Sequence, residues 1–162
     1  SQVDEPTDLA DGSVPGVKNA AVRKLYHELG IPAEHLRIDS FKFLTRLHYY
    51  AADALTHGPN SPWGEHEIDY ILFIQVSFVD RSIPIKPHPD EVDAVKWVSP
   101  TEMDAMMDDP SNLWSPWFRI IVERFVKEWW QNLADALTTD KYVDTVNIHR
   151  FDPPSRYRGG AG

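Results

Sequence analysis

Trp63-Gly64-Glu65-His66-Glu67-Ile68-Asp69-Tyr70-Ile71-Leu72-Phe73-Ile74 is the stretch from which the fold is read, because a turn there feeds two carboxylates into the most apolar run of the chain. Strand side chains alternate between faces, so Glu65 and Glu67 point one way while His66 and Ile68 point the other. From Ile68 onward nearly every residue is apolar, and many are β-branched or aromatic. That pattern predicts a strand covered on both faces, since a half-exposed strand would alternate. Two acids at the mouth of such a strand are costly. A carboxylate leaving water needs a cation or hydrogen-bond donors, or its pKa rises and it becomes neutral. Two readings stay open on pattern alone: a solvated strand end, or a shared metal or proton-transfer site.

Outward from this stretch, residues 52–64 contain Gly58, Pro59, Pro62 and Gly64 and read as a loop. Before it, Phe41 to Ala51 alternates as a strand, with Phe43, Thr45, Leu47 and Tyr49 on one face and Leu44, Arg46, His48 and Tyr50 on the other. The two strands form an antiparallel pair. Val17, Ala20, Ala21, Leu25 and Leu29 recur at helical spacing, and Gly30 followed by Pro32 stops that helix. On the C-terminal side, Ala94 to Val98 reads as a short strand, and Ser99-Pro100-Thr101-Glu102 has the form of a capping box opening a helix to about Met107. Ser115-Pro116 starts the longest helix, whose Trp117, Ile121, Phe125, Trp129 and Leu133 keep one face apolar to about Leu137. Aromatics at that spacing are usually core. A short terminal segment follows within residues 138–150.

The expected organisation is a flexible arm over residues 1–15, one domain over 16–150 and a disordered tail over 151–162. A chain of 162 residues is long enough to bury a real core as one domain. Its net charge of -9 argues against broad binding to nucleic acid or to an acidic membrane surface. No apolar run approaches the roughly 20 residues that span a bilayer. With no cysteine, there is no disulfide framework, thiolate nucleophile or Cys-based zinc site. The expected location is cytoplasmic, with peroxisomal residence as an alternative.

Gly16-Val17-Lys18-Asn19-Ala20-Ala21-Val22-Arg23-Lys24-Leu25-Tyr26-His27-Glu28-Leu29-Gly30-Ile31 resembles a degenerate Nudix box. Arg23, Glu28, Gly30 and Ile31 match the usual ending of that box, whereas Lys24 and His27 stand where glutamates are expected. Ordinary Nudix diphosphate hydrolysis needs the dense acidic group those departures remove. Three further stretches narrow the resemblance: Phe43-Leu44-Thr45-Arg46-Leu47-His48-Tyr49, the opening stretch itself, and Pro116-Trp117-Phe118 with Trp129-Trp130. In this order and spacing they look like type I isopentenyl-diphosphate isomerase of the eukaryotic kind. The resemblance implies a Nudix-like α/β/α sandwich with a mixed sheet, and an allylic proton shift between isopentenyl and dimethylallyl diphosphate. By position it makes Glu67, Tyr49 and Trp117 catalytic, with Glu67 and Tyr49 on one side of the alkene and Trp117 facing the developing cation. Lys24 and Glu28 would bind the substrate diphosphate. Glu65, Glu67 and Glu28 would be metal ligands for magnesium, with manganese or zinc as alternatives where His ligands join them.

In the family that the chain resembles, a Cys-containing motif just before the Nudix helix carries the opposing acid/base thiol, and His ligands come from there and from earlier strands. The sequence opens at Ser1, and its seven histidines all lie at or beyond the helix. The sheet is therefore expected to be incomplete on its N-terminal side. Three readings follow: part of an isomerase whose front lies elsewhere, a shortened paralogue that acts as a binding or interaction module, or an isomerase-derived enzyme with other chemistry on a prenyl diphosphate. Removing the front strands leaves an apolar sheet edge that a partner chain or a second copy would have to cover.

Overall fold

The computed structural model describes residues 13–52, 57–58, 61–76 and 83–151. Helix α1 (Pro15–Leu29) opens with proline in its first turn and ends at Gly30, whose φ of 64° is left-handed. The Gly30 N–H donates to the Tyr26 carbonyl, and a Cβ there would lie 2.5 Å from the Lys86 carbonyl oxygen. Val14 and Pro15 belong to the folded domain and not to an arm, because Val14 is fully buried against Val17 and Phe43. Residues 1–12 of the expected arm and 152–162 of the expected tail lie outside the described residues, whereas Phe151 belongs to a strand.

Among the described residues three strands form one sheet in the order β2-β1-β3: β1 (Phe41–Ala52), β2 (Gly64–Ile74) and β3 (Ile148–Phe151). β1 pairs antiparallel with β2 and parallel with β3, so the sheet is mixed. β2 meets the expectation from Tyr70 onward, where helices pack on both faces, and departs from it at Ile68. The central strand is β1, while β2 forms an edge of the described sheet and Ile68 is 50% exposed. The faces are covered by the helices packed above and below the sheet, which reach Tyr70 to Phe73 of β2 but not Ile68. The expected alternation along β1 is also interrupted, since a register shift between Phe43 and Thr45 puts Phe43 in the core under α1 and Leu44 with Leu47 in the opposite core. At the other end of the pair Gly64 lies against Ala51, whose carbonyl oxygen a Cβ would strike.

The sheet is covered on both faces, which makes an α/β/α sandwich. α1 closes one face over Phe43, Tyr70 and Leu72. The other carries Leu44, Leu47, Ile71 and Phe73 against the C-terminal helices. These are α3 (Pro116–Ile121), a π-helical segment (Val122–Val126), α4 (Lys127–Gln131) and α5 (Leu133–Thr138). The expected single helix is thus segmented. A strict i, i+4 series drifts by about 40° per step around an α-helix of 3.6 residues per turn. The wider π turns take up that drift and hold Ile121, Phe125 and Trp129 in one core cluster.

Ala94 to Val98 forms no strand, which corrects that expectation. Val95 and Trp97 are exposed, and the segment has no neighbouring strand to supply ladder hydrogen bonds among the described residues. The capping box is present ahead of α2 (Pro100–Asp108): the Ser99 Oγ accepts from the Glu102 N–H, and the Glu102 carboxylate accepts from the Ser99 N–H at 2.8 Å. The Ser99 N–H and the Ser99 hydroxyl, both donating to that carboxylate, hold the Glu102 carboxyl below its ordinary pKa. Ser99→Ala is expected to cost about 1 kcal/mol in urea unfolding.

Asp144 docks the turn that delivers β3. Its backbone N–H donates to the Leu44 carbonyl at 2.7 Å. Its carboxylate accepts from the Val146 and Asn147 N–H groups, the Asn147 side chain and His149 Nε2. Burial works to raise this carboxyl's pKa, but the hydrogen bonds from Asn147, Val146 and His149 outweigh it and hold the value below normal. The sign follows. A folded pKa below the unfolded one contributes stability that is present above about pH 3.9 and lost as pH falls through the folded value. Asp144→Ala is expected to cost about 2 kcal/mol at pH 7, from charge-assisted bonds to the turn. Urea unfolding of both proteins at pH 7 and pH 3 should show that difference shrinking at the lower pH.

Candidate active site

A groove of about 490 Å³ runs along the outer edge of β2. Val17, Ala20, Ala21 and Lys24, one face of α1 at i, i+3, i+4 and i+7 spacing, form one wall. Residues 67–72 of β2 form the floor, and Trp117 at the start of α3 closes the far side. Six consecutive strand residues reach the groove because the strand meets it edge-on. Ala20 and Ala21 leave room that longer side chains would fill.

The groove brings together Lys24, Glu67 and Trp117 from three separate elements. Glu67 is exposed there and stands directly opposite Tyr49 in the β1–β2 ladder, so both belong to the sheet face that carries Leu47 and Ile71. Tyr49 itself is 1% exposed and lies behind the groove. Trp117 is 38% exposed, unlike Ile121 and Trp129 further along the same apolar stripe, which are 6% and 3% exposed. The stripe therefore divides into a core part and a groove part.

Lys24 donates to Glu28 at 2.6 Å, and this bond to the Glu28 carboxylate holds the ammonium above its usual pKa, with Glu91 adding charge. Both side chains are well exposed, and an i, i+4 pair of this kind contributes only about 0.3–0.5 kcal/mol. The ammonium is thus easily exchanged to another anion. Glu28 does not line the groove. Glu65 pairs with Ala51 in the ladder, and its side chain lies outside the described ones. Among the described residues no three His, Asp or Glu side chains converge to hold a metal. Ile68, Asp69 and Tyr70 of the floor were read as strand residues in the sequence, and no motif marks them as groove-lining.

A NUDIX domain is matched over residues 6–118. The chain belongs to the Nudix family. This Nudix chain is 45% identical over 138 residues to isopentenyl-diphosphate delta-isomerase of Schizosaccharomyces pombe, covering 85% of the chain and 54% of that protein. It is 41% identical over 139 residues to the isopentenyl-diphosphate delta-isomerase of Candida albicans, covering 86% and 45%. With the chloroplastic isopentenyl-diphosphate Delta-isomerase I of Arabidopsis thaliana the figures are 38% over 150 residues, 90% and 47%. The Nudix chain spans about half the length of the curated relatives it matches. None of its described helices is long and apolar enough to cross a membrane.

Proposed function

We propose that this chain is the part of an isopentenyl-diphosphate isomerase that carries one side of the proton transfer and the wall facing the cation. The observation behind this reading is the groove that gathers a carboxyl, an indole and an ammonium from three elements of the fold. Moving the double bond adds a proton to one alkene carbon and removes another from the allylic position, by way of a tertiary carbocation-like species. Glu67 holds a proton on one side of the alkene, and Tyr49, opposite it in the ladder, orients that carboxyl. The Trp117 indole faces the cation, an attraction of about 2 kcal/mol when desolvated. Val17, Ala20 and Ile68 shield the hydrocarbon from water. Lys24 exchanges its bond to Glu28 for the substrate diphosphate.

The exposed Glu67 carboxylate suits a hard divalent cation. Magnesium, with manganese or zinc as alternatives, would be held by Glu67 and Glu65 with ligands from outside this sequence, and Glu28 would serve on the diphosphate side. When bound it supplies positive charge to oppose the carboxylates and the diphosphate. The opposing proton carrier is a thiol in the family that the chain resembles, and this sequence contains no cysteine. The 162-residue chain by itself is therefore expected to show no isomerase turnover with magnesium, and a segment bearing Cys and His is expected to restore it. Clear turnover by the chain alone would overturn the assignment.

A second reading, an interaction module, is supported by the outer edge of β2, which pairs with no strand among the described residues. A stable homodimer in light scattering, together with no binding of prenyl diphosphate, would favour it over the first.

A further inference from the structure

The opposite face of the same ladder carries a different set of side chains. His48 stands opposite Ile68 and Tyr50 opposite His66, so His48, Tyr50 and His66 share the face that Glu67 and Tyr49 do not. His48 Nε2 and His66 Nε2 lie 2.7 Å apart, with ring centroids 4.9 Å apart and planes at 51°. His48 is half-buried in the central strand and His66 is exposed on the edge strand. The Tyr50 ring meets His66 edge-on, with ring centroids 6.4 Å apart.

Two neutral imidazoles meeting this way share one proton, the N–H of one donating to the lone pair of the other. The ring centroids are 2.2 Å farther apart than the nitrogens (4.9 against 2.7 Å), so the two Nε2 atoms face one another nearly head-on, and when the donating ring carries its proton on Nδ1 instead, both Nε2 lone pairs open on the gap between them. A cation about 2.0–2.1 Å from each nitrogen needs the two about 2.9 Å apart for ligands at 90° and about 3.3 Å at the tetrahedral angle, which the exposed His66 ring reaches by swinging out of line with His48. We infer that His48 and His66 form a two-histidine site for a borderline divalent cation of the zinc, nickel or copper kind, with water completing the coordination. Imidazole nitrogen selects those ions, whereas carboxylate oxygen on the other face suits magnesium, so one ladder presents a nitrogen site and an oxygen site back to back. Arg150 stands opposite His48 on the β3 side and is exposed, where solvent screens its charge. The inference does not depend on the isomerase reading. The other histidine pair, His27 and His88, is stacked at 16°, and His88 Nδ1 accepts from the Asp90 N–H, so its nitrogens do not converge.

Copper(II) titration of the full chain, followed by calorimetry and by electron paramagnetic resonance, tests this site. The expected result is one equivalent bound with the hyperfine pattern of two nitrogens, lost in His48→Ala and in His66→Ala. Binding is expected to persist in His27→Ala/His88→Ala and in Glu67→Gln. Circular dichroism identifies any variant that fails to fold, and His66→Gln, at an exposed position, then serves in its place with the same expected loss. Absence of one-equivalent binding, its survival in His48→Ala/His66→Ala, or its loss in Glu67→Gln would overturn the proposal.

Discussion

On the proposed isomerase reading, Glu67→Gln in the chain supplied with a Cys- and His-bearing segment is expected to lower kcat for isomerisation by about 100- to 10,000-fold, with KM moving far less. Positioned acid–base groups contribute rate enhancement of that order. Glutamine keeps the shape and a hydrogen-bonding end but cannot exchange a proton with an alkene carbon. The exposure of Glu67 at the floor of the groove means the substitution leaves packing intact, so the thermal midpoint should stay close to that of the parent. Steady-state kinetics alongside thermal unfolding separates the two effects. Turnover within tenfold of the parent would remove Glu67 from the chemistry and leave it at a solvated strand end.

Trp129→Ala is expected to cost about 3–5 kcal/mol in urea unfolding, the range for truncating a buried Trp or Phe. Trp129 is 3% exposed, stacks on Phe125 at 5.0 Å and meets the edge of Phe73 at 5.4 Å, so its removal empties the joint between the C-terminal helices and the sheet. Domains of this kind have about 5–15 kcal/mol of stability in all, so the loss is a large share of the whole. Trp97→Ala is the matching control. Trp97 is 66% exposed, and its loss is expected to fall within about 0.5 kcal/mol. A smaller loss for Trp129 than for Trp97 would mean that the helices do not dock as described.

Trp117 and Trp129 show what a one-dimensional pattern carries and what it leaves out. Trp117, Ile121, Phe125 and Trp129 lie on one stripe in the sequence, yet Trp117 faces the groove while Ile121 and Trp129 are core. The stripe records a helix face, and where the sheet ends beneath that face is a property of other segments. The reading of β2 erred at Ile68 for a related reason. Its apolar run signalled a covered strand, but where the covering helices end is set by other segments, so Tyr70 to Phe73 are covered while Ile68 is exposed. Ala94 to Val98 has strand composition but no strand to pair with among the described residues.

What the sequence determined by itself is local. Proline at the head of α1 and glycine at its end bound that helix, Ser99 with Glu102 capped α2, and residues alternating about a turn made a hairpin. Those signals act between residues within a few positions of each other, where backbone geometry leaves few choices. Only the tertiary structure decided that Lys24, Glu67 and Trp117 share one groove, and that His48 and His66, on the face away from Glu67, meet at 2.7 Å. Such meetings join positions tens of residues apart. They arise from the layering of α1, the sheet and the C-terminal helices, whose buried apolar faces bring distant polar groups along with them.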